Sequence, residues 1–574
     1  MKKFLLSIGL TLSMTSAWAI KAWNMPITVT QDDGTEITVF IHGDEDFCWY
    51  TSLDGTILNR IGNNFSPITE SKESFFRKAE NIRKANVMKR EAVSGSSQTL
   101  FPHTGSPKVL VILAEYADKG FSISNPKKSF DQYLNKQEGA QENFGYHEHR
   151  NVSSVRQYFE AMSNGKFSPQ FDIYGPVKLP NNMNYYGGTN NTGTDERSAE
   201  LLTDACELIK DSLDFSQYDS NNDGYIDLIY VIYAGYGQSM GASTETIWPK
   251  TSYINNDKTY NGKKIFRYGV NNELLGTESS FNGQPYITGI GIFVHEFSHC
   301  LGLPDFYTTK LKGTYDNQGM EDWSVMDAGC YLHNSWNPTA YTAWEREALG
   351  WDSIPTISEP QQLAMNDIDN GGKAYRIANN NNPSDYLIIQ RIQNKGWNAY
   401  ITPSGTDVDG LLVYHVDYNE NDFAISQNNV NNIAGHPRMT VVPADSLLMS
   451  SYRVNNQEIT KNDYQNQISG DLYGDGAPTK KTMFEQSAAI PNSQWWATNG
   501  TEAVDKINLY NIHSADDGLL YVDFKQEIAT AGINNIDAFV SNKTIYNING
   551  TKINCLPSSL PKGIYIIGGK KVVK

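Results

Sequence analysis

The stretch Val294–Tyr307, V-H-E-F-S-H-C-L-G-L-P-D-F-Y, constrains this 574-residue chain more than any other. The sequence holds ten histidines, and two of them, His295 and His299, stand four residues apart. A helix turns every 3.6 residues, so both imidazoles project from one face, close enough to hold one ion. The preceding run G-I-G-I-F-V is apolar, which buries that helix. Gly302 ends it by taking a positive φ and turns the chain back. Asp305 then arrives as a third ligand, with Asp316 and Glu321 as weaker candidates. Two imidazoles and one carboxylate leave a fourth position for water, the coordination of a catalytic rather than a structural zinc. Glu296, beside a ligand but angled away from the ion, is placed to take a proton from that water. The competing account is a helix whose histidines satisfy hydrogen bonds in a core.

A chain of this length exceeds one ordinary core, so several domains are expected. Its 47 Lys and Arg against 64 Asp and Glu, a formal charge of -17, argue against nucleic acid or an anionic membrane surface as the main partner. Residues 1–19 have a basic start, a short apolar run and the small-x-small pattern Ala17-Trp18-Ala19, which reads as a secretory signal cleaved after Ala19. No later run reaches the roughly 18 apolar residues of a membrane span. The expected location is secreted or on the outer cell surface. The five cysteines, Cys48, Cys206, Cys300, Cys330 and Cys555, include no C-x-x-C pair. This excludes a disulfide scaffold, and a Cys300–Cys330 bridge is weighed against two buried free thiols.

Residues 20–100 open with alternating strands joined by D-D-G-T and L-D-G-T turns, then a charged helix and a flexible S-G-S-S-Q-T joint, a detachable segment. Residues 101–352 change character. K-V-L-V-I-L-A-E-Y has the continuous apolar character of a central strand, and S-S-V-R-Q-Y-F-E-A-M-S-N-G predicts a helix capped by Ser153 or Ser154 and closed by Gly165. Before the strand I-D-L-I-Y-V-I-Y-A-G, oxygen-bearing side chains fall at Asp219, Asn221, Asp223 and Asp227 around Gly224. That array suits calcium. An EF-hand is excluded because Tyr230 stands where its bidentate Glu belongs, and an Asx-rich turn without metal is the alternative. W-N-P-T-A-Y-T-A-W-E-R-E-A-L-G-W predicts a helix with Asn337 as cap and Pro338 as its first residue. Residues 353–527 then read as a β-sandwich, in which His415 takes no metal, and residues 528–574 as a small β module.

Met326 lies in the tight turn of M-E-D-W-S-V-M-D-A-G. H-E-x-x-H-x-x-G-x-x-D followed by S-V-M resembles the metzincins. Together with S-V-R-Q-Y-F-E-A-M-S-N-G-K-F, Y-D-S-N-N-D-G-Y-I-D-L-I-Y-V-I-Y-A-G and A-W-E-R-E-A-L-G-W, it resembles the immune inhibitor A-like secreted metalloproteases. That resemblance implies a β-rich propeptide, a metzincin-like α/β catalytic domain with a zinc helix and a Met-turn beneath the metal, and a downstream β-sandwich: multidomain α/β plus all-β. It also implies Tyr331 as a candidate oxyanion donor. Cys48 stands in G-D-E-D-F-C-W where a histidine is more familiar, and its thiolate is a candidate zinc ligand that keeps a zymogen inactive. The end of the chain, with K-G-I-Y-I-I and a basic terminus, resembles the sorting domains of type IX secretion, which implies contact with secretion machinery or the cell surface.

The resulting expectation is a secreted zinc endopeptidase made as a zymogen and acting on protein or peptide substrates. The alternative is a surface-binding or adhesive β-domain protein with an idle metal site; the intact Glu296 favours the first.

Overall fold

The computed structural model describes the chain except residues 1–14, 19, 24, 95–99, 137–150, 189–194, 196, 255–257, 310–316, 403–407, 451–452, 455–456, 459–466, 488, 497–505, 526–543, 554–559, 568–569 and 574. A short strand β1 (Thr15–Trp18) precedes a five-stranded antiparallel meander of β2 (Ile27–Thr30), β3 (Glu36–Gly43), β4 (Cys48–Ser52), β5 (Ile57–Ile61) and β6 (Asn64–Pro67). Helix α1 (Lys72–Ser94) packs on this meander, where Phe75 and Phe76 meet Phe47 and Trp49. A buried ion pair of Arg83 with Asp44, at 2.6 Å, fixes the helix to the sheet. These elements match the hairpins and charged helix read from the sequence.

Strands β7 (Lys108–Glu115), β8 (Gln170–Lys178), β10 (Ile229–Tyr236), β11 (Lys250–Ile254) and β14 (Arg267–Leu274) build the central sheet. Its order is β1-β11-β14-β10-β7-β8. β7, β8, β10 and β14 run parallel, and β11 is antiparallel to β14. Strands β9 (Tyr225–Ile226), β12 (Thr259–Tyr260) and β13 (Lys263–Ile265) form a three-stranded patch beside it. Both faces of the sheet are covered, which explains the unbroken apolar character of β7 and β10. Leu110 and Ile112 face one core with α5 (Ser198–Ile209). Val109, Val111 and Leu113 face the other, with α2 (Pro126–Asn135), α3 (Val155–Met162) and α6 (Ile290–Cys300); α4 (Met183–Gly187) lies between β8 and α5 in the chain. Ser154 caps α3 in a reciprocal box with Gln157.

Residues 15–18, expected to leave with the signal, pair antiparallel with β11 as Thr15↔Ile254 to Trp18↔Thr251. Without them β11 is the sheet's edge, whose open N–H and C=O groups accept an extended segment. The expected cap at Asn337 is also corrected. Asn337 donates to Trp397 O, and the helix is α7 (Ala343–Ala348), capped by Thr342 in a box with Glu345. Thr342 has the extended backbone and the Glu three positions on that this cap needs.

The downstream β-sheets make a sandwich. β15 (Gln361–Met365) joins three later strands in one sheet, and β16 (Tyr375–Asn379), β17 (Asn382–Gln393), β18 (Asp409–Asp417) and β19 (Met439–Val441) form the other. Leu387, Ile389, Leu411 and Val413 face the first sheet. Their neighbours Ile388, Leu412, Tyr414 and Val416 face the peptide-chain core around α6. The second sheet is thus shared, and residue 353 is no break in the packing. Strands at 545–547, 552–553, 564–567 and 570–573 form a separate small antiparallel sheet with its own core of Ile545, Leu560 and Tyr565. Its N-G turn bends at Gly550; the G-G pair at 568–569 and Cys555 lie outside the described residues.

Candidate active site

Helix α6 carries His295, Glu296 and His299, all fully buried. Its start depends on the absence of a side chain at Gly291, where a Cβ would stand 2.0 Å from Cys330 O. The loop from 330 to 335 therefore lies directly on the helix, and Gly291 N donates to Ser335 O. Gly302 closes the helix at φ +99°, as the sequence requires.

The reversal brings Asp305 back to the two histidines. Its Oδ1 stands 3.2 Å from His295 Nε2 and 3.4 Å from His299 Nε2. The three candidate ligand atoms lie within 4.8 Å of one another, the one such cluster of metal-binding groups among the described residues. His295 Nδ1 faces Val325 O and His299 Nδ1 faces Leu303 O, each at 2.8 Å. Those carbonyls accept N–H and fix the tautomer that leaves each Nε2 bare for a metal. His295 Nε2, His299 Nε2 and Asp305 Oδ1 are buried with no hydrogen-bond partner. Buried orphans of this kind are costly, and three converging on one point fit a divalent cation. Burial raises the Asp305 carboxyl, but the two imidazoles outweigh it and hold it well below the carboxylate range. Burial pulls His295 below its usual value, whereas for His299 the Asp305 charge overcomes burial and raises it. Asp316 lies outside the described residues, and Glu321 is not in the cluster.

Asp305 is braced from 123 residues away. Asn428 Nδ2 donates to Asp305 Oδ2 at 2.5 Å, and Asp305 N donates to Asn428 Oδ1 at 2.8 Å. Nothing in the sequence singles out Asn428, apart from its place in an asparagine-rich loop.

Met326 is buried, next to Val325, whose carbonyl faces His295 Nδ1. Its N–H is taken by Ser324 Oγ, and Ser324 Oγ donates to Glu345 Oε1 at 2.7 Å. The W-E-R-E segment thus holds the turn through one glutamate. Burial pushes the Glu345 carboxyl up to about 7.

Glu296 has its Oε1 occupied by the chain's own N-terminal segment: Ile20 N–H donates to it at 2.6 Å. Ile20–Trp23 are buried and held along the backbone. Trp248 Nε1 donates to Ile20 O, Tyr331 O–H to Lys21 O at 2.6 Å, Ala22 N to Gly43 O and Trp23 N to Ser239 O. Tyr331 therefore donates to a peptide carbonyl of the segment that engages Glu296. Burial pushes the Glu296 carboxyl up to about 8, against the lowering influence of His299 and the Ile20 N–H.

One candidate ligand ends elsewhere. Cys48 is outside the cluster; Gln238 Nε2 donates to its sulfur at 3.7 Å, and burial pushes its thiol up to about 12. Cys300 and Cys330 are both free and buried. Around Asp219 the oxygens serve the loop itself: Asp223 N and Gly224 N donate to Asp219, Ser220 N to Asp227, and Asn221 Nδ2 to Asp223. Lys263 Nζ sits 2.6 Å from Asp219 Oδ2, bringing its own cation. The loop has the Asx-turn form. His415 bonds Asp385 and Asn492 O, as a structural histidine.

Residues 101–352 match the family described as immune inhibitor A peptidase M6, catalytic domain. These residues are an immune inhibitor A-like peptidase domain. A pre-pro-metalloprotease, PrtV, of Vibrio cholerae serotype O1 is 27% identical over 253 residues, 38% of this chain and 26% of that protein. Immune inhibitor A of Bacillus thuringiensis subsp. alesti is 28% identical over 282 residues, 42% of this chain and 39% of that protein. The matched stretch thus spans about a quarter and two fifths of these relatives, and the peptidase domain contains His295, Glu296, His299, Asp305 and Met326.

Proposed function

We propose that this protein is a secreted zinc endopeptidase made as a zymogen, with His295, His299 and Asp305 as ligands and Glu296 as general base. The convergence of three buried, unpartnered ligand atoms on one point carries the reading. The relative named a pre-pro-metalloprotease and the match to the peptidase M6 catalytic domain support it. Zinc held there supplies a Lewis acid that brings the pKa of a bound water toward about 7 and polarises a peptide carbonyl.

The chain's own residues do the rest. Glu296 takes a proton from the attacking water and delivers it to the leaving amide nitrogen. Tyr331, which donates to a carbonyl in the cleft, is suited to bind the substrate carbonyl or the oxyanion formed from it. Once the N-terminal segment leaves, β11 offers an open edge to which an extended substrate adds as an antiparallel strand. Latency is supported by Ile20–Trp23, which fill the cleft and engage Glu296. On this reading the blocking contact is at Ile20 rather than at Cys48. Release to the outer surface through the C-terminal sheet follows from its resemblance to sorting modules.

Metal analysis with casein cleavage, with and without chelator, tests the reading on processed protein. One zinc per chain and chelator-sensitive cleavage are expected. Bound zinc without cleavage favours the adhesive alternative.

A further inference from the structure

We propose that Asp327 forms the floor of a subsite that selects a basic side chain in the substrate, at the residue following the one whose nitrogen leaves. This rests on the peptidase reading above. The N-terminal segment lies in the cleft as a substrate mimic. Ile20 N is the nitrogen at Glu296, the group that hands its proton to the leaving amine, and Lys21 is the next residue. Lys21 O is held by Tyr331 O–H, a contact any residue satisfies, so the side chain carries the discrimination.

That side chain runs past the Tyr307 ring, 5.5 Å from its centroid, and ends with Nζ 2.7 Å from Asp327 Oδ1. The two side chains are 10% and 1% exposed. Asp327 Oδ2 is already spent on Met320 N and Glu321 N, at 3.0 and 2.9 Å. Oδ1 is left facing the cleft. A carboxylate this buried is costly without a cation, so departure of Lys21 leaves a negative pocket that a lysine or arginine from another chain refills. Asp327 lies two residues after Val325, whose carbonyl faces His295 Nδ1, so the pocket keeps a fixed distance from the metal cluster. With one oxygen free, it suits the compact ammonium of lysine at least as well as the two-pronged guanidinium.

The test uses the full chain, recovered from the medium and carrying Lys21→Glu, which sets a carboxylate against Asp327 and expels the segment. Two quenched peptides, identical except for lysine or glutamate at the second residue beyond the cleaved bond, are assayed with zinc and with chelator. The lysine peptide is expected to have the higher kcat/KM by at least about tenfold, mostly through KM. Adding Asp327→Asn should shrink the ratio to within about threefold. Equal, chelator-sensitive cleavage of both peptides before Asp327 is changed overturns the subsite and leaves the peptidase intact. If zinc-bound protein cuts neither peptide nor denatured casein, the peptidase reading itself fails. The first ratio needs no change at Asp327, so it decides even if Asp327→Asn does not fold.

Discussion

Replacing Asn428 by glycine should weaken zinc binding while leaving the fold intact. Asn428 sits at φ 47°, where glycine carries no strain and alanine costs about 1–2 kcal/mol, so glycine removes only the side chain. Two contacts disappear, the 2.5 Å donation to Asp305 Oδ2 and the 2.8 Å bond from Asp305 N. Loss of a partner that orients a ligand typically costs about 10–100-fold in metal affinity, and a hydrogen bond to a charged group is worth about 1.5–3 kcal/mol. The two magnitudes agree, since tenfold is about 1.4 kcal/mol. Asn428→Asp keeps volume and backbone but turns the donor into an acceptor against Asp305 Oδ2, so its loss should exceed that of glycine. Zinc affinity is read by competition with a chromophoric chelator, and turnover at saturating zinc should return to within a few-fold of wild type. Unchanged affinity in Asn428→Gly, with the fold verified by circular dichroism, would refute the bracing role.

Other perturbations follow from the same contacts. The Glu345 carboxyl, raised by burial to about 7, binds its proton more tightly folded than unfolded; its contribution to stability is full below about pH 4.5 and is lost as pH rises through about 7, on the order of 3 kcal/mol at most. Glu345→Gln should flatten that slope in calorimetry, and an unchanged slope contradicts the assignment. Gly291→Ala, with its Cβ 2.0 Å from Cys330 O, should cost several kcal/mol or displace the 330–335 loop, lowering thermal stability and zinc content together. Arg83→Ala strands the buried Asp44 carboxylate and should destabilise the N-terminal unit by about 3–5 kcal/mol, seen as faster proteolytic loss of residues 20–94 and earlier activity.

What could be read from the sequence was local. The ligand trio falls within eleven residues, where helix periodicity and one positive-φ glycine settle the geometry. Buried strands β7 and β10 announced themselves by unbroken apolar runs, and the β-hairpins by their D-G turns. The cap of α7 was misplaced because Asn337-Pro338 is a stronger local signal than Thr342, whose box with Glu345 closes only in the fold. The pairing of Lys263 with Asp219, 44 residues apart, is invisible to a spacing argument. Asn428 and the Lys21–Asp327 pair were hidden for the same reason: their partners lie 123 and 306 residues away, and single asparagines or lysines carry no local pattern.

The most direct test is Glu296→Gln in the processed protein, with zinc content and peptide turnover measured on one sample. We expect one zinc per chain in both proteins and a fall in kcat of at least about 10²–10⁴-fold. Turnover close to wild type with zinc in place would contradict the role of Glu296 and, with it, the account of the site.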